Sequence, residues 1–118
     1  MTEFNQVSEF DADFAHLKSR FSTLDDDFKK LKDVINLRGP KHTPGTVRIP
    51  MGANFKEPVY KVRQFRCKCL AGKGHKSGFR IIFCHKENPG KITFIQIYHK
   101  DEHENEDKDR IKKYLETS

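Results

Sequence analysis

Two consecutive sets of apolar residues recur at intervals of four, three and four within residues 1–37. They are Phe10, Phe14, Leu17 and Phe21, followed by Leu24, Phe28, Leu31 and Ile35. This spacing places each set on one face of an α-helix. The pattern predicts two helices that are separated by two or three residues and form an αα-hairpin, with both apolar faces turned toward a sheet.

Residues 38–58 interrupt this periodicity. Four of the five prolines of the chain fall in this stretch, together with three glycines. Both residue types are typical of loops, because Pro fixes its own φ and Gly adopts conformations that other residues avoid. We expect a long connection here, with one short strand around residues 47–49.

Residues 59–100 show the alternation of apolar and polar positions that indicates β-strands. The alternation of residues 60–69 slips at Gln64, which predicts a β-bulge at that position. Residues 79–85 form a nearly continuous apolar run that one charge, Arg80, interrupts. Such a run is typical of a central strand that is covered on both faces.

Residues 92–99 predict a third strand of the same sheet. The turn signal at residues 88–90, Asn-Pro-Gly, joins it to the preceding strand as a hairpin. Strict alternation assigns its side chains to two faces: Ile95 and Ile97 to one, and Phe94, Gln96 and Tyr98 to the other.

Residues 101–118 are strongly polar, and Ile111, Tyr114 and Leu115 give a weak helical stripe for a short last helix. The predicted fold class is α+β, in which an N-terminal αα-hairpin packs on a small antiparallel sheet of 3–4 strands with a short C-terminal helix. A further strand at the extreme N-terminus is compatible with the pattern. We expect one domain over residues 1–118, divided into a helical hairpin (1–37), a Pro/Gly-rich connection (38–58), a sheet (59–100) and a charged helix (101–118).

The charges of the chain are sorted along its length, within a formal net charge of +6. Residues 38–100 carry 14 basic and two acidic side chains, whereas residues 1–37 and 101–118 are both net acidic. Lys and Arg side chains that neutralise phosphates release condensed counterions, and this release favours binding to nucleic acids. The sorting indicates a nucleic-acid partner.

Several other classes of protein do not fit the chain. No apolar run is long enough to span a membrane, and the first residues lack the layout of a secretory signal. We expect a cytoplasmic protein with no membrane partner. The three cysteines (Cys67, Cys69 and Cys84) lack the spacing of a structural zinc site, so we predict reduced thiols, no metal and no cofactor.

Two motifs resemble known catalytic signatures without meeting their requirements. The loop Gly-Lys-Gly-His-Lys-Ser-Gly at residues 72–78 lacks the Gly-Lys-Ser/Thr of a phosphate-binding loop. The His-x-x-Glu-His spacing between His99 and His103 matches an inverted zinc-peptidase motif. That motif requires both histidines on one helix, whereas His99 is predicted to end a strand.

The predicted strands carry basic groups toward one region of the sheet. If the strands pair in sequence order, these groups meet on the sheet face directed away from the helices: Lys61, Arg63, Arg80, Tyr98, His99 and Lys100. A guanidinium within an apolar strand is costly unless it holds an anion. We therefore predict a cationic cleft on this face.

These residues resemble a known family. The resemblance rests on the segments Tyr60-Lys61-Val62-Arg63, Ser77-Gly78-Phe79-Arg80-Ile81-Ile82-Phe83 and Ile95-Gln96-Ile97-Tyr98-His99-Lys100. In their order around a basic loop and before a charged helix, they are similar to the RelE/ParE superfamily of toxins from bacterial type II toxin–antitoxin systems. The resemblance covers most of residues 8–115 and implies a microbial-RNase-like fold.

The resemblance also implies an activity, that of a metal-independent endoribonuclease that cleaves mRNA in the ribosomal A site and so inhibits translation. The 2′-hydroxyl of the substrate would attack the adjacent phosphate and leave a 2′,3′-cyclic end. By position, the implied catalytic residues are Lys61, Arg63, Arg80, Tyr98 and His99. Arg80 would stabilise the phosphate, and His99 would serve as acid or base. The base is open, with Glu57 and Glu104 as further candidates.

The remaining basic residues of this region would bind RNA. They are Arg66, Lys68, Lys73, Lys76 and Lys100. The implied partners are mRNA, the ribosome and a cognate antitoxin protein. Two alternatives remain: a gyrase-inhibiting toxin of the ParE type without nuclease activity, and a non-catalytic nucleic-acid-binding module.

Overall fold

Two N-terminal helices form, as the apolar spacing predicts, but the first ends before Phe21, and residues 19–23 separate the helices rather than two or three residues. The computed structural model describes residues 2–52, 55–63, 65, 78–87 and 90–117. Helix α1 spans Ser8–Lys18 and helix α2 spans Leu24–Arg38. Three consecutive aspartates, residues 25–27, occupy the first turn of α2, where the helix dipole favours negative charge. Gly39, at a φ of +84°, ends this helix.

The sheet contains five strands. They are β1 (Glu3–Gln6), β2 (Thr46–Ile49), β3 (Val59–Val62), β4 (Phe79–Lys86) and β5 (Lys91–His99). Their spatial order is β1-β5-β4-β3-β2, in which β1 pairs in parallel with β5 and every other pair is antiparallel. The fold is therefore α+β, and its sheet is mixed and five-stranded rather than antiparallel with three to four strands. Strands β3, β4 and β5 pair in sequence order, as predicted.

One face of the sheet, called the helix face below, is covered by α1 and α2. The apolar residues of both helices pack there against side chains from the three central strands. The largest buried residues of this cluster are aromatic and branched aliphatic: Phe10, Leu17, Leu24, Ile35, Phe79, Ile81, Phe83, Ile92, Phe94 and Ile97. The apolar stripes that predicted the helices thus form the larger of the two cores.

The opposite face of the sheet carries a second, smaller core. Helix α3, which spans Lys108–Thr117, packs there through Ile111 and Leu115. Two polar contacts attach its N-terminal end and its middle to β5. The Asp107 N–H donates to Gln96 Oε1 at 2.8 Å, and the Tyr114 hydroxyl contacts Thr93 Oγ1 at 3.1 Å. The last helix is therefore part of the fold, as its weak apolar stripe predicted.

A β-bulge in β5 changes which residues share a face. Ile82 pairs with Gln96 whereas the next residue, Phe83, pairs with Phe94, so Ile95 is an extra residue on β5. As a result Ile95 joins the core under α3 and Phe94 joins the core under α1 and α2. The assignment from strict alternation is wrong at these positions, because it allowed for no bulge in this strand.

An ion pair connects the two sides of the molecule at the end of β1. Arg110 of α3 donates to Asp13 Oδ2 of α1 at 2.6 Å and to the Ile95 carbonyl oxygen at 3.0 Å. The bulged residue thus supplies a backbone acceptor to the arginine. This contact fixes α3 to α1 past the edge of the sheet.

Candidate nucleic-acid interface

Arg63 and Arg80 lie side by side on the sheet face that carries α3. Val62 pairs with Ile81, so Arg63 follows β3 directly beside Arg80 of β4. Arg80 Nη1 donates to the Arg63 carbonyl oxygen at 3.1 Å. Neither guanidinium forms an ion pair with a carboxylate of the described residues. Two guanidinium groups on neighbouring strands form a site with the charge that a phosphodiester requires.

Tyr98 completes this row of side chains, since it pairs directly with Arg80 across β4 and β5. We call Arg63, Arg80 and Tyr98 together the arginine face. Burial raises the pKa of Tyr98 above its ordinary value, and the Glu106 carboxylate raises it further, while the charges of Arg80 and Arg63 oppose both effects. The phenol therefore stays neutral between a carboxylate and two guanidinium groups.

Lys61 shares this side of the sheet, but a carboxylate neutralises it. Its ammonium donates to Glu106 Oε1 at 2.9 Å, and the two side chains are only 18% and 8% exposed. Burial raises the pKa of Glu106, and the hydrogen bond and charge of Lys61 more than offset this effect, so the pKa lies below its ordinary value. Lys61 is thus an internally paired cation rather than an open phosphate ligand.

The His99 side chain lies on the helix face of the sheet, opposite to the face that carries Arg80. It pairs with Phe79, and its ring lies between Phe79 at 5.1 Å and Phe21 at 6.1 Å, centroid to centroid. Its Nδ1 accepts a hydrogen bond from the Asp101 N–H at 3.1 Å, and its side chain is 14% exposed. The expectation that His99 meets Lys61, Arg63 and Arg80 on one face is therefore wrong. The bulge at Ile95 causes this, because strict alternation from Phe83 and Phe94 would put His99 on the side of Arg80.

Two residues that were not predicted lie at this site, His103 and Glu106. The ring of His103 meets the edge of the Tyr98 ring at 6.2 Å and 85°. The sequence points to Glu57 and Glu104 as candidate bases, and not to Glu106. Glu57 instead influences Cys84, and Glu104 is exposed. The one sequence feature that places His103 and Glu106 near the site is their position in the segment that joins β5 to α3.

Several predicted residues lie outside the described residues. These are Gln64 with its predicted bulge, the RNA-binding candidates Arg66, Lys68, Lys73 and Lys76, the cysteines Cys67 and Cys69, and the turn residues Asn88 and Pro89. Lys100 is described and exposed, and its N–H donates to the Gly78 carbonyl oxygen at 2.9 Å. It therefore lies at the end of the sheet where β4 begins.

Within the described ranges, three or more metal-ligating side chains do not come together at any point. None of the helices of the described part is both long enough and apolar enough to cross a bilayer. Comparison of the chain with protein-family models, with curated proteins and with solved structures finds no match.

Proposed function

We propose that this chain is an endoribonuclease of the toxin type, with a RelE-like arrangement of helical hairpin and sheet, that cleaves mRNA on the ribosome and is held inactive by an antitoxin protein. The proposal rests on the resemblance of its strand segments to RelE/ParE toxins and on one structural observation. This observation is the adjacent placement of Arg63, directly after β3, and Arg80 of β4, next to Tyr98. Such an enzyme works in the cytoplasm, where ribosomes are.

The two guanidinium groups of the arginine face suit a phosphodiester because no carboxylate of the described residues forms an ion pair with them. Lys61 is paired with Glu106, whereas the two guanidinium groups have no carboxylate partner among the described residues. Guanidinium groups bind phosphate oxygens through paired N–H donors, and they stabilise the additional negative charge that develops when a nucleophile attacks. Tyr98, which is 3% exposed, packs beside the two guanidinium groups as part of the core under α3.

The test is cleavage of an mRNA bound to purified ribosomes. We expect Arg80→Ala and Arg63→Ala each to reduce the cleavage rate by at least about 100-fold, the typical effect of removing a group that stabilises transition-state charge. Arg48→Ala is the matched control, because Arg48 is exposed on β2 and pairs with Tyr60 of the helix face. Equal cleavage by all three variants would exclude a catalytic role for the arginine face.

A second candidate function is a nucleic-acid-binding module without catalysis. The ion pair of Lys61 and the orientation of His99 favour it, since both reduce the set of catalytic groups that the sequence predicted. Such a module would bind RNA, and its affinity for RNA would fall in the Arg63→Ala and Arg80→Ala variants. It would leave ribosome-bound mRNA intact. DNA breaks in cells whose mRNA stays intact would instead indicate the gyrase-inhibiting alternative.

A further inference from the structure

The proposed cleavage needs a group that protonates the leaving 5′-oxygen, and His99 does not lie on the arginine face. We propose that His103 is the general acid of this site. The inference rests on the proposed function and deepens it, because it assigns the proton donor of the same site.

The turn after β5 places His103 on the same side of the sheet as Tyr98, opposite to the side on which the His99 ring lies. The His103 N–H donates to the His99 carbonyl oxygen at 3.2 Å, so the chain reverses direction within four residues. The His103 ring then meets the edge of the Tyr98 ring at a centroid distance of 6.2 Å. Tyr98 in turn pairs with Arg80 across the two strands, so Tyr98 is the common neighbour of the imidazole and of Arg80.

The other titratable groups here suit proton donation poorly. The pKa of Glu106 is lowered, because the hydrogen bond and charge of Lys61 outweigh the effect of burial, so this residue carries no proton near neutral pH. The pKa of Tyr98 is raised, mainly by burial, so the phenol releases its proton reluctantly. Histidine is the side chain type that gives up and regains a proton near neutral pH. His103 is also exposed, so an RNA strand can reach its ring.

The substrate 2′-oxygen forms a bond to phosphorus while the bond between phosphorus and the 5′-oxygen breaks, and the 2′-hydroxyl proton passes to water. The 5′-oxygen leaves with the electron pair of the broken bond and takes a proton from the His103 imidazolium. The products are a 2′,3′-cyclic phosphate and a 5′-hydroxyl, and the imidazole regains its proton from solvent.

The experiment compares two ribosome-bound mRNAs that differ in one atom. In one, the bridging 5′-oxygen at the cleaved position is replaced by sulfur, which leaves as a thiolate without protonation. We expect His103→Ala to cleave the oxygen substrate at least about 100-fold more slowly than the wild type, within the range for general acids. On the sulfur substrate the two proteins should cleave at equal rates. RNA affinity should stay within about twofold, since a phosphate-binding role is assigned to the arginines.

His42→Ala is the matched control, because His42 is exposed and lies in the short 3₁₀ helix Pro40–His42, which precedes β2, three strands away from β5 in the sheet. Wild-type cleavage of the oxygen substrate by His103→Ala would overturn the inference and leave the proposed function intact. An equal loss on both substrates would also overturn it, because that pattern indicates a structural role. A wild-type protein that cleaves neither substrate would refute the proposed function and the inference with it.

Discussion

Lys61 and Glu106 form an ion pair that joins the sheet to the segment before α3, across 45 residues of sequence. The Glu106 side chain is 8% exposed, which makes it the most buried carboxylate among the ion pairs of the described residues. The pair removes one cation from the proposed RNA site and holds the segment that carries His103. Stability and site geometry are therefore coupled through these two side chains.

Replacement of Lys61 by Met should lower the free energy of unfolding by about 3 kcal/mol, because it leaves a buried carboxylate without its partner. The double variant Lys61→Met/Glu106→Gln should recover part of this loss, since no charge remains buried. Urea unfolding of the variants measures both effects. Lys29→Met, at an exposed position of α2, serves as the control and should change stability by less than about 0.5 kcal/mol. An equal effect of both single substitutions would contradict a stabilising pair.

The same pair predicts a dependence of stability on acid. The pKa of Glu106 in the folded protein is below its ordinary value of 4.5, because Lys61 outweighs the opposing effect of burial. A carboxyl whose pKa is lower in the folded than in the unfolded protein stabilises the fold at pH values above its unfolded pKa. This stabilisation is lost as the pH falls through the folded pKa. The free energy of unfolding should thus decline less steeply below about pH 4.5 in Glu106→Gln than in the wild type. Glu104→Gln, at an exposed position, should keep the wild-type slope.

Gly78 should tolerate substitution less well than another glycine of similar backbone conformation. Gly78 and Gly52 have φ values of +91° and +94°, so alanine costs about 1–2 kcal/mol at either position. A Cβ at Gly78 would lie 2.8 Å from His99 Nε2, whereas a Cβ at Gly52 would meet no atom within 4 Å. The His99 ring is held by Phe21 and Phe79 and cannot yield easily.

Thermal unfolding of Gly78→Ala and Gly52→Ala measures the difference. We expect Gly78→Ala to be the more destabilised variant by at least about 1 kcal/mol, the usual minimum cost of overpacking. Addition of His99→Ala to Gly78→Ala should cancel part of this excess. Equal destabilisation of the two glycine variants would show that the His99 ring adapts.

The contact between Arg110 and Asp13 predicts that α3 stabilises α1. Arg110→Met should cost about 2 kcal/mol, because the arginine makes charge-assisted hydrogen bonds to Asp13 and a further bond to the Ile95 carbonyl. Hydrogen exchange should accelerate in α1 as well as in α3. Lys112→Met, at an exposed position of the same helix, should leave both rates unchanged. Faster exchange confined to α3 would argue against the connection.

Cys84 should be unreactive in the folded protein. Burial, followed by the charge of Glu57, raises the pKa of its thiol to about 12, against a smaller opposing effect of Lys86. The double variant Cys67→Ser/Cys69→Ser leaves Cys84 as the remaining thiol. Because the thiolate is the reactive form, a disulfide reagent at pH 8 should label Cys84 at least about 100-fold more slowly in the folded variant than in the same variant unfolded in urea. Similar rates in both conditions would show that Cys84 is accessible.

The periodicity of the sequence predicted the helices and the order of the central strands because those features depend on local spacing. Leu24, Phe28, Leu31 and Ile35 face a sheet wherever that sheet lies, and all four are buried. For the two short strands the prediction was weaker: the sequence indicated a short strand around residues 47–49, where β2 lies, and only allowed a strand at the N-terminus, where β1 lies. The parallel pairing of β1 with β5 depends on contacts across about 90 residues, which no local pattern encodes.

The site was predicted less completely than the fold, for two physical reasons. Arg63, Arg80 and Tyr98 meet as expected because they depend only on strand pairing. His99 does not, because one extra residue in β5 reverses its face. The partnership of Lys61 with Glu106 depends on how the last segment folds back over the sheet, and nothing in the spacing of either residue signals it.

The bulge at Ile95 sets the register of β5, and the amide of Gln96 favours this register over the unbulged one. A flat strand with strict alternation would insert Gln96 among the phenylalanines beneath α1 and α2, where its amide would lose the Asp107 N–H that it now accepts. An amide buried without a partner is costly, so the bulged register is preferred. Gln96 lies one row away from the arginines, opposite Ile82. Through this preference it nevertheless determines that Tyr98 stands opposite Arg80, where the unbulged register would place Ile97.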